Sequence, residues 1–271
     1  MILSYHPIFK GNQNRLCAGR LPTPEDEALI RSANAVILPQ GVSQALYEMA
    51  IQNCSFVFPN YQMRFQYPGK LGQTKLFQKA SAPLPPTQSF LSSKNINDFN
   101  GFNYPQVLKY DWGGEGQTVF FIPDETALRD QVTQIQMYEK TQGEISFIVQ
   151  SFIPHQSRTL RCVVIGNSYY SYWRTSSFGI FGTAISSGAT IDSTSDPELQ
   201  RAGKQLVQQF CKKTKINLAG FDLLFSEKGK DPFFLEINYY FGRTGLGGSE
   251  AYYQILNTEI MAWINFLGLT L

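Results

Sequence analysis

Apolar residues change their spacing along the chain, and the changes set the expected order of elements. ILSY at the start reads as a strand, and TPEDEALIRSAN as a helix with Thr23 as N-cap, Pro24 at the first helical position and Asp26 three residues after the cap. AVILP (35–39) reads as a buried strand, VSQALYEMAIQN as a helix and CSFVFP as a further strand. Together they form a small parallel βαβ-type layer that holds no GxGxxG. NYQMRFQYPGKLG reads as a loop and QTKLFQKA (73–80) as a short helix; the prolines at 83, 85 and 86 then break the chain.

From residue 104 the pattern turns antiparallel. YPQVLKYDW and TVFFI are strands around a glycine loop, DETALRDQVTQIQMYEK is an amphipathic helix with Asp124 near its cap, and EISFIVQSFI is a strand. TLRCVVIGNSYYSYWR reads as a hairpin turning at Gly166-Asn167. A polar loop (175–195) leads into the helix SDPELQRAGKQLVQQFCKKTK, capped by Ser195 or Asp196. AGFDLLFSEKGKDPFFLEIN reads as a second hairpin, and SEAYYQILNTEIMAWINFL as a closing helix. The expected fold class is α/β (α+β) in three parts: an N-terminal α/β layer (1–72), a smaller subdomain with the glycine flap (73–153) and a C-terminal subdomain (154–271).

Composition narrows the function classes. The formal charge of +2, with Lys and Arg scattered, argues against a nucleic-acid or membrane-surface protein. Four distant cysteines with no CxxC pair read as reduced, buried thiols in a cytoplasmic protein. MILSYHPIF is too short an apolar run for a signal peptide, and no run approaches the ~18 residues of a membrane span.

Three constellations carry chemistry. Folding the second hairpin about Gly229 pairs Asp222 with Glu236, 224 with 234 and 220 with 238, so Asp222, Glu236 and Asn238 share a face. Two carboxylates and an amide oxygen are the hard ligands that Mg²⁺ takes, and a cation would reverse their repulsion. A solvated acidic face is the bland reading, and Leu224 and Phe234 on that face argue against it. Next, DWGGEGQT lies between two strands and lacks the GK[ST] ending of a P-loop; it reads as turn chemistry or as a flap whose backbone N–H groups close over phosphates. Lys109, four residues before Gly113, either snorkels to the surface or points at an anion under that flap. Last, a turn at Gly166-Asn167 pairs 161 with 172 and 159 with 174, making Arg161 and Arg174 diagonal neighbours that suit one anion, or else an exposed basic face. A cation site, a flap and converging basic groups are what a metal–nucleoside triphosphate requires.

In this order over residues 73–267, the chain resembles the ATP-grasp superfamily, most closely carboxylate–amine ligases of the ribosomal-protein glutamate ligase type. KLFQKASAPLPPTQSF resembles the helix with the phosphate-binding lysine, which gives Lys75. VLKYDWGGEGQTV resembles the strand lysine and flap, giving Lys109, Gly113, Gly114, Glu115 and Gly116. IVQSFI resembles the adenine hinge, giving Gln150, Ser151, Phe152 and Ile153; LRCVVIG resembles the strand that carries Arg161. AGFDLLF and FFLEIN resemble the paired magnesium strands, giving Asp222, Glu236 and Asn238. Ser151 stands where the hinge often has an acid, Thr159 where an aspartate often precedes the arginine, and YYFGRTGLGGS departs from the glutamate-ligase loop. The resemblance implies two subdomains gripping ATP behind a short Rossmann-like layer, with Mg²⁺ (or Mn²⁺) as metal. It also implies a carboxylate activated as an acyl phosphate and an amine acceptor, free or on a peptide or protein. Arg161, Arg174 and Arg243 would stabilise phosphoryl charge or clamp the substrate carboxylate. A phosphotransferase on the same fold and a non-catalytic ATP-binding module are the alternatives. The oligomeric state stays open, a homodimer being one option. His6 and His155 receive no role.

Overall fold

The computed structural model describes residues 1–17, 19–98, 103–113, 116–176, 188–227, 229 and 231–271. Its first sheet is fully parallel, in the order β2-β1-β3-β4, from β1 (Ile2–Ser4), β2 (Gln13–Asn14), β3 (Ala35–Ile37) and β4 (Val57–Phe58). Helices α1 (Pro24–Ser32) and α2 (Gln44–Asn53) connect its strands, and the Asp26 carboxylate accepts from the Thr23 N–H at 2.8 Å, as the spacing predicts. The two-residue β2 was not legible, being too short to show alternation. After α3 (Gln62–Gln66), α4 runs from Gly69 to Lys79. It begins earlier than the expected 73, so the position chosen for the first boundary falls inside a helix.

The second sheet is antiparallel, in the order β5-β8-β6-β7, and forms the lid. It comprises β5 (Thr87–Phe90), β6 (Gln106–Tyr110), β7 (Val119–Ile122) and β8 (Phe147–Ser151), with α5 (Glu125–Gln142) packed against it. Asp124 caps α5 by accepting from the Ala127 N–H, and Leu128, Val132 and Ile135 recur at helical spacing on the buried face.

The third sheet runs β11-β10-β9-β12-β13, all antiparallel. Its strands are β9 (Arg158–Ile165), β10 (Ser168–Thr175), β11 (Thr190–Asp192), β12 (Leu218–Phe225) and β13 (Pro232–Asn238). Helices α6 (Pro197–Thr214) and α7 (Gly248–Phe266) pack on it. The β9–β10 register is the expected one, 161 opposite 172 and 159 opposite 174, set by a two-residue turn with Gly166 at φ 59°. Asp196 precedes α6 but makes no side-chain cap; its carboxylate pairs with Arg158 instead, at 2.5 Å.

The β12–β13 hairpin matches expectation at its far end, Asp222 opposite Glu236 and Gly220 opposite Asn238. Beyond Asp222 it departs: a bulge places Leu224 opposite Phe233, not Phe234. The extra residue turns fully buried Phe234 away from the acidic face and into the core, where its ring meets Phe77, Phe210 and Phe221 at centroid distances of 5.0, 4.9 and 5.9 Å. Phe234 therefore does not share a face with Glu236 as expected.

Two hydrophobic clusters result. The larger joins the first and third sheets with α2, α6 and α7, Phe58 of β4 meeting Trp263 of α7 at 5.6 Å. The smaller lies between the lid sheet and α5. The site lies between these two bodies.

Candidate functional site

A cavity of about 640 Å³ separates the lid from the third sheet. The lid side contributes Lys109 on β6, Gly116 of the flap, and Gln150, Ser151, Phe152 and Ile153. The opposite wall carries Arg161 on β9, Arg174 on β10, and Asp222, Glu236 and Asn238 on the hairpin. The tertiary structure thus gathers most of the residues that the sequence singled out. Gly114 and Glu115 lie outside the described residues.

Lys109 is buried, and its Nζ donates to Gln150 Oε1 at 2.8 Å, while Gln150 Nε2 donates to Thr87 Oγ1 at 2.9 Å. Burial pulls the Lys109 ammonium down to about 8, aided by neighbouring Lys70 and opposed by Glu236 and Asp222. In the hinge, Ser151 N–H donates to Pro86 O and Phe152 N–H to Pro105 O. The Ile153 N–H has no hydrogen-bond partner among the described residues, and Ile153 lines the cavity.

Lys75 is exposed and does not line the cavity. Lys70 does: it is buried, and its Nζ donates to the carbonyls of Trp112 and Gly113 at 3.3 Å each. Five residues along an α-helix turn about 140° around its axis, so one helix cannot present both lysines to the same cleft. The signal for Lys70 was its place directly after Pro68-Gly69, where α4 begins. Burial lowers the Lys70 ammonium, and the charges of Glu236 and Asp111 oppose the shift.

Asp222 is held more tightly than its sequence reading implies. Its Oδ1 accepts from Arg161 Nε at 2.5 Å and pairs with Arg174 Nη2 at 2.7 Å; its Oδ2 accepts from Arg161 Nη2 and Asn238 Nδ2, both at 3.1 Å. Burial alone would push this carboxyl up, yet the two guanidiniums outweigh it and hold it at about 2. Glu236 is the reverse case: burial and the Asp222 charge raise it, and the two lysines pull the other way. Its carboxylate has no hydrogen bond or ion pair among the described residues.

The donor set fits a hard divalent cation. Glu236 and the Asn238 side-chain oxygen are open to the cleft, and Asp222 would have to yield one of its four contacts to join them in holding an ion. No cluster of three His, Cys, Asp or Glu side chains occurs among the described residues, so any such ion depends on the amide as well.

Arg243 does not line the cavity, although Gly242, Thr244 and Gly245 do. Its guanidinium stacks at 4.6 Å over both Tyr252 and Tyr253 of α7. The sequence missed His155, whose Nδ1 donates to Ile153 O at 2.9 Å, and Tyr240; both line the cavity. All four cysteines are free and buried, and among the described residues no helix is long and apolar enough to cross a membrane.

Solved structures share this fold, in which one antiparallel sheet closes over another. The fold is similar to a RimK domain ATP-grasp protein from Sphaerobacter thermophilus (TM-score 0.66, 17% identity, covering 95% of this chain and 98% of that one). It is also similar to N5-carboxyaminoimidazole synthetase from Staphylococcus aureus complexed with ADP (0.64, 12%, 100% and 71%). A third likeness is to L-amino acid ligase from Bacillus licheniformis (0.59, 13%, 91% and 64%). Residues 71–264 match the RimK-like ATP-grasp domain, and the chain belongs to that family of ATP-grasp ligases. No curated protein matches the chain in sequence.

Proposed function

We propose that the protein is an ATP-dependent carboxylate–amine ligase that works through an acyl phosphate and releases ADP and phosphate. The observation that supports this most is the convergence on one cavity of Lys70 and Lys109 from one side and Asp222, Glu236 and Asn238 from the other. Four cationic side chains against two carboxylates make the cleft electropositive, as a polyphosphate requires.

In this reading Ile153 offers its N–H to the base, and Lys70, Lys109 and the flap backbone hold the phosphates. Mg²⁺, when bound by Glu236, Asn238 and Asp222, offsets charge on the phosphate oxygens. The substrate carboxylate attacks the γ-phosphoryl group, and an amine then displaces phosphate to leave an amide. Arg161 and Arg174 stand beside this path and stabilise the charge that develops on the transferred group. No side chain serves as covalent nucleophile; positioning and fixed charge supply the rate. The substrates are a small carboxylic acid and an amine, the latter free or carried on a peptide.

Hydroxylamine trapping with MgATP across a panel of amino acids and small carboxylic acids tests the proposal. A hydroxamate formed with one acid is the expected result. ATP binding without acid-dependent ADP release across the panel would overturn it in favour of a nucleotide-binding module, and a stable phosphoester product would point to a phosphotransferase.

A further inference from the structure

We propose that Asp111 is a positioning residue of the nucleotide site: it fastens the base of the flap to the first turn of α4, so that Lys70 and Lys109 face the phosphates together. The inference rests on the nucleotide reading above.

Asp111 follows the last residue of β6, two positions after Lys109. Its own N–H donates to Ser146 O at 2.9 Å, which ties it to the lid. Its Oδ1 accepts from the Leu71 N–H at 2.7 Å and its carbonyl from the Lys70 N–H at 3.3 Å. Pro68 at the start of α4 makes no side-chain cap, so two N–H groups of the first turn find their acceptors on the lid, about forty residues away in sequence. A carboxylate there also meets the positive end of the helix.

Gly69 makes the contact possible. It has φ 67°, and a Cβ on it would overlap the Asp111 carboxylate. The same junction puts Lys70 Nζ against the flap carbonyls of Trp112 and Gly113, while Lys109 enters from β6. Loss of Asp111 would leave both lysines chemically intact. It would free α4 and the flap to move separately, and the two ammoniums would lose their common register.

The test is MgADP binding to the full chain by calorimetry, with the fluorescence of half-exposed Trp112 as a second signal. Binding to the wild type comes first; its absence would defeat the nucleotide reading itself. Given that binding, Asp111→Ala is expected to weaken MgADP about tenfold or more. Asp111→Asn, which keeps the acceptor, should restore affinity to within about threefold. Gly69→Ala should reproduce the loss, and the double variant should be no weaker than the worse single one. Wild-type affinity in Asp111→Ala with only a lowered melting temperature would reduce Asp111 to a helix cap and overturn the proposal; so would failure of Asn to rescue, or multiplicative losses. If Asp111→Ala does not fold, unchanged affinity in Gly69→Ala decides against it.

Discussion

Replacing Lys109 by methionine should make the protein more stable while disabling its nucleotide site. Lys109 is 9% exposed, and burial lowers its ammonium from 10.5 to about 8. At 1.36 kcal/mol per pH unit, that difference amounts to about 3 kcal/mol of destabilisation. Below pH 8 the folded and unfolded chains both carry the proton, and the cost is present in full. Between pH 8 and 10.5 the unfolded chain keeps a proton that the folded chain sheds, so the cost falls as pH rises. Methionine fills a similar volume without the charge, but it leaves Gln150 Oε1 without its donor, a loss of about 1 kcal/mol. The net expectation at pH 7 is a gain of about 2 kcal/mol, and at pH 9.5 a much smaller gain, because most of the charge cost is gone there. Urea unfolding of both proteins at the two pH values measures it, and MgADP affinity should fall at least about tenfold in the variant. A variant less stable than wild type at pH 7, or a difference that ignores pH, would refute the argument that Lys109 is held charged against its environment.

Lys70→Ala should weaken MgADP binding by about tenfold or more and Lys75→Ala by less than about twofold; calorimetry separates the two, and the reverse order would return the phosphate role to Lys75. Glu236→Gln should lower turnover by at least about a hundredfold and nucleotide affinity far less, read from steady-state kinetics beside calorimetry; an active variant with unchanged Mg²⁺ dependence would remove Glu236 from the metal set. Arg174→Gln deletes one contact to Asp222, so Mn²⁺ binding in the presence of ADP, followed by paramagnetic resonance, should tighten by about three- to tenfold while turnover falls. No tightening would mean that the arginine does not compete with the ion.

Much of this was local enough to read from the chain. The alternation in TLRCVVI and SYYSYWR with Gly166-Asn167 between them fixes the β9–β10 register, because a two-residue turn leaves one way to pair the arms. The same reasoning paired Asp222 with Glu236 and placed Asn238 on their face. It failed one step further along, at the bulge. A bulge adds a residue without changing the alternation of types, and burial of Phe234 in a core assembled from Phe77, Phe210 and Phe221 decides which way it goes.

The sequence by itself determined the kinds of groups and their order: an acid–acid–amide hairpin, a strand lysine, a glycine loop, an apolar hinge. Those depend on side-chain chemistry and on spacings of a few residues. Tertiary structure decided which partners each group meets. Antiparallel pairing of β9 with β12 sets Arg161 directly against Asp222, a contact between residues on separate hairpins. Asp111 reaches α4 from the lid at the helix's first turn, where Lys70, not Lys75, faces the cleft. Arg243 stacks on α7 instead of entering the cavity beside its loop neighbours. Each outcome depends on surfaces brought together from distant stretches of chain, and no local periodicity encodes where such surfaces meet.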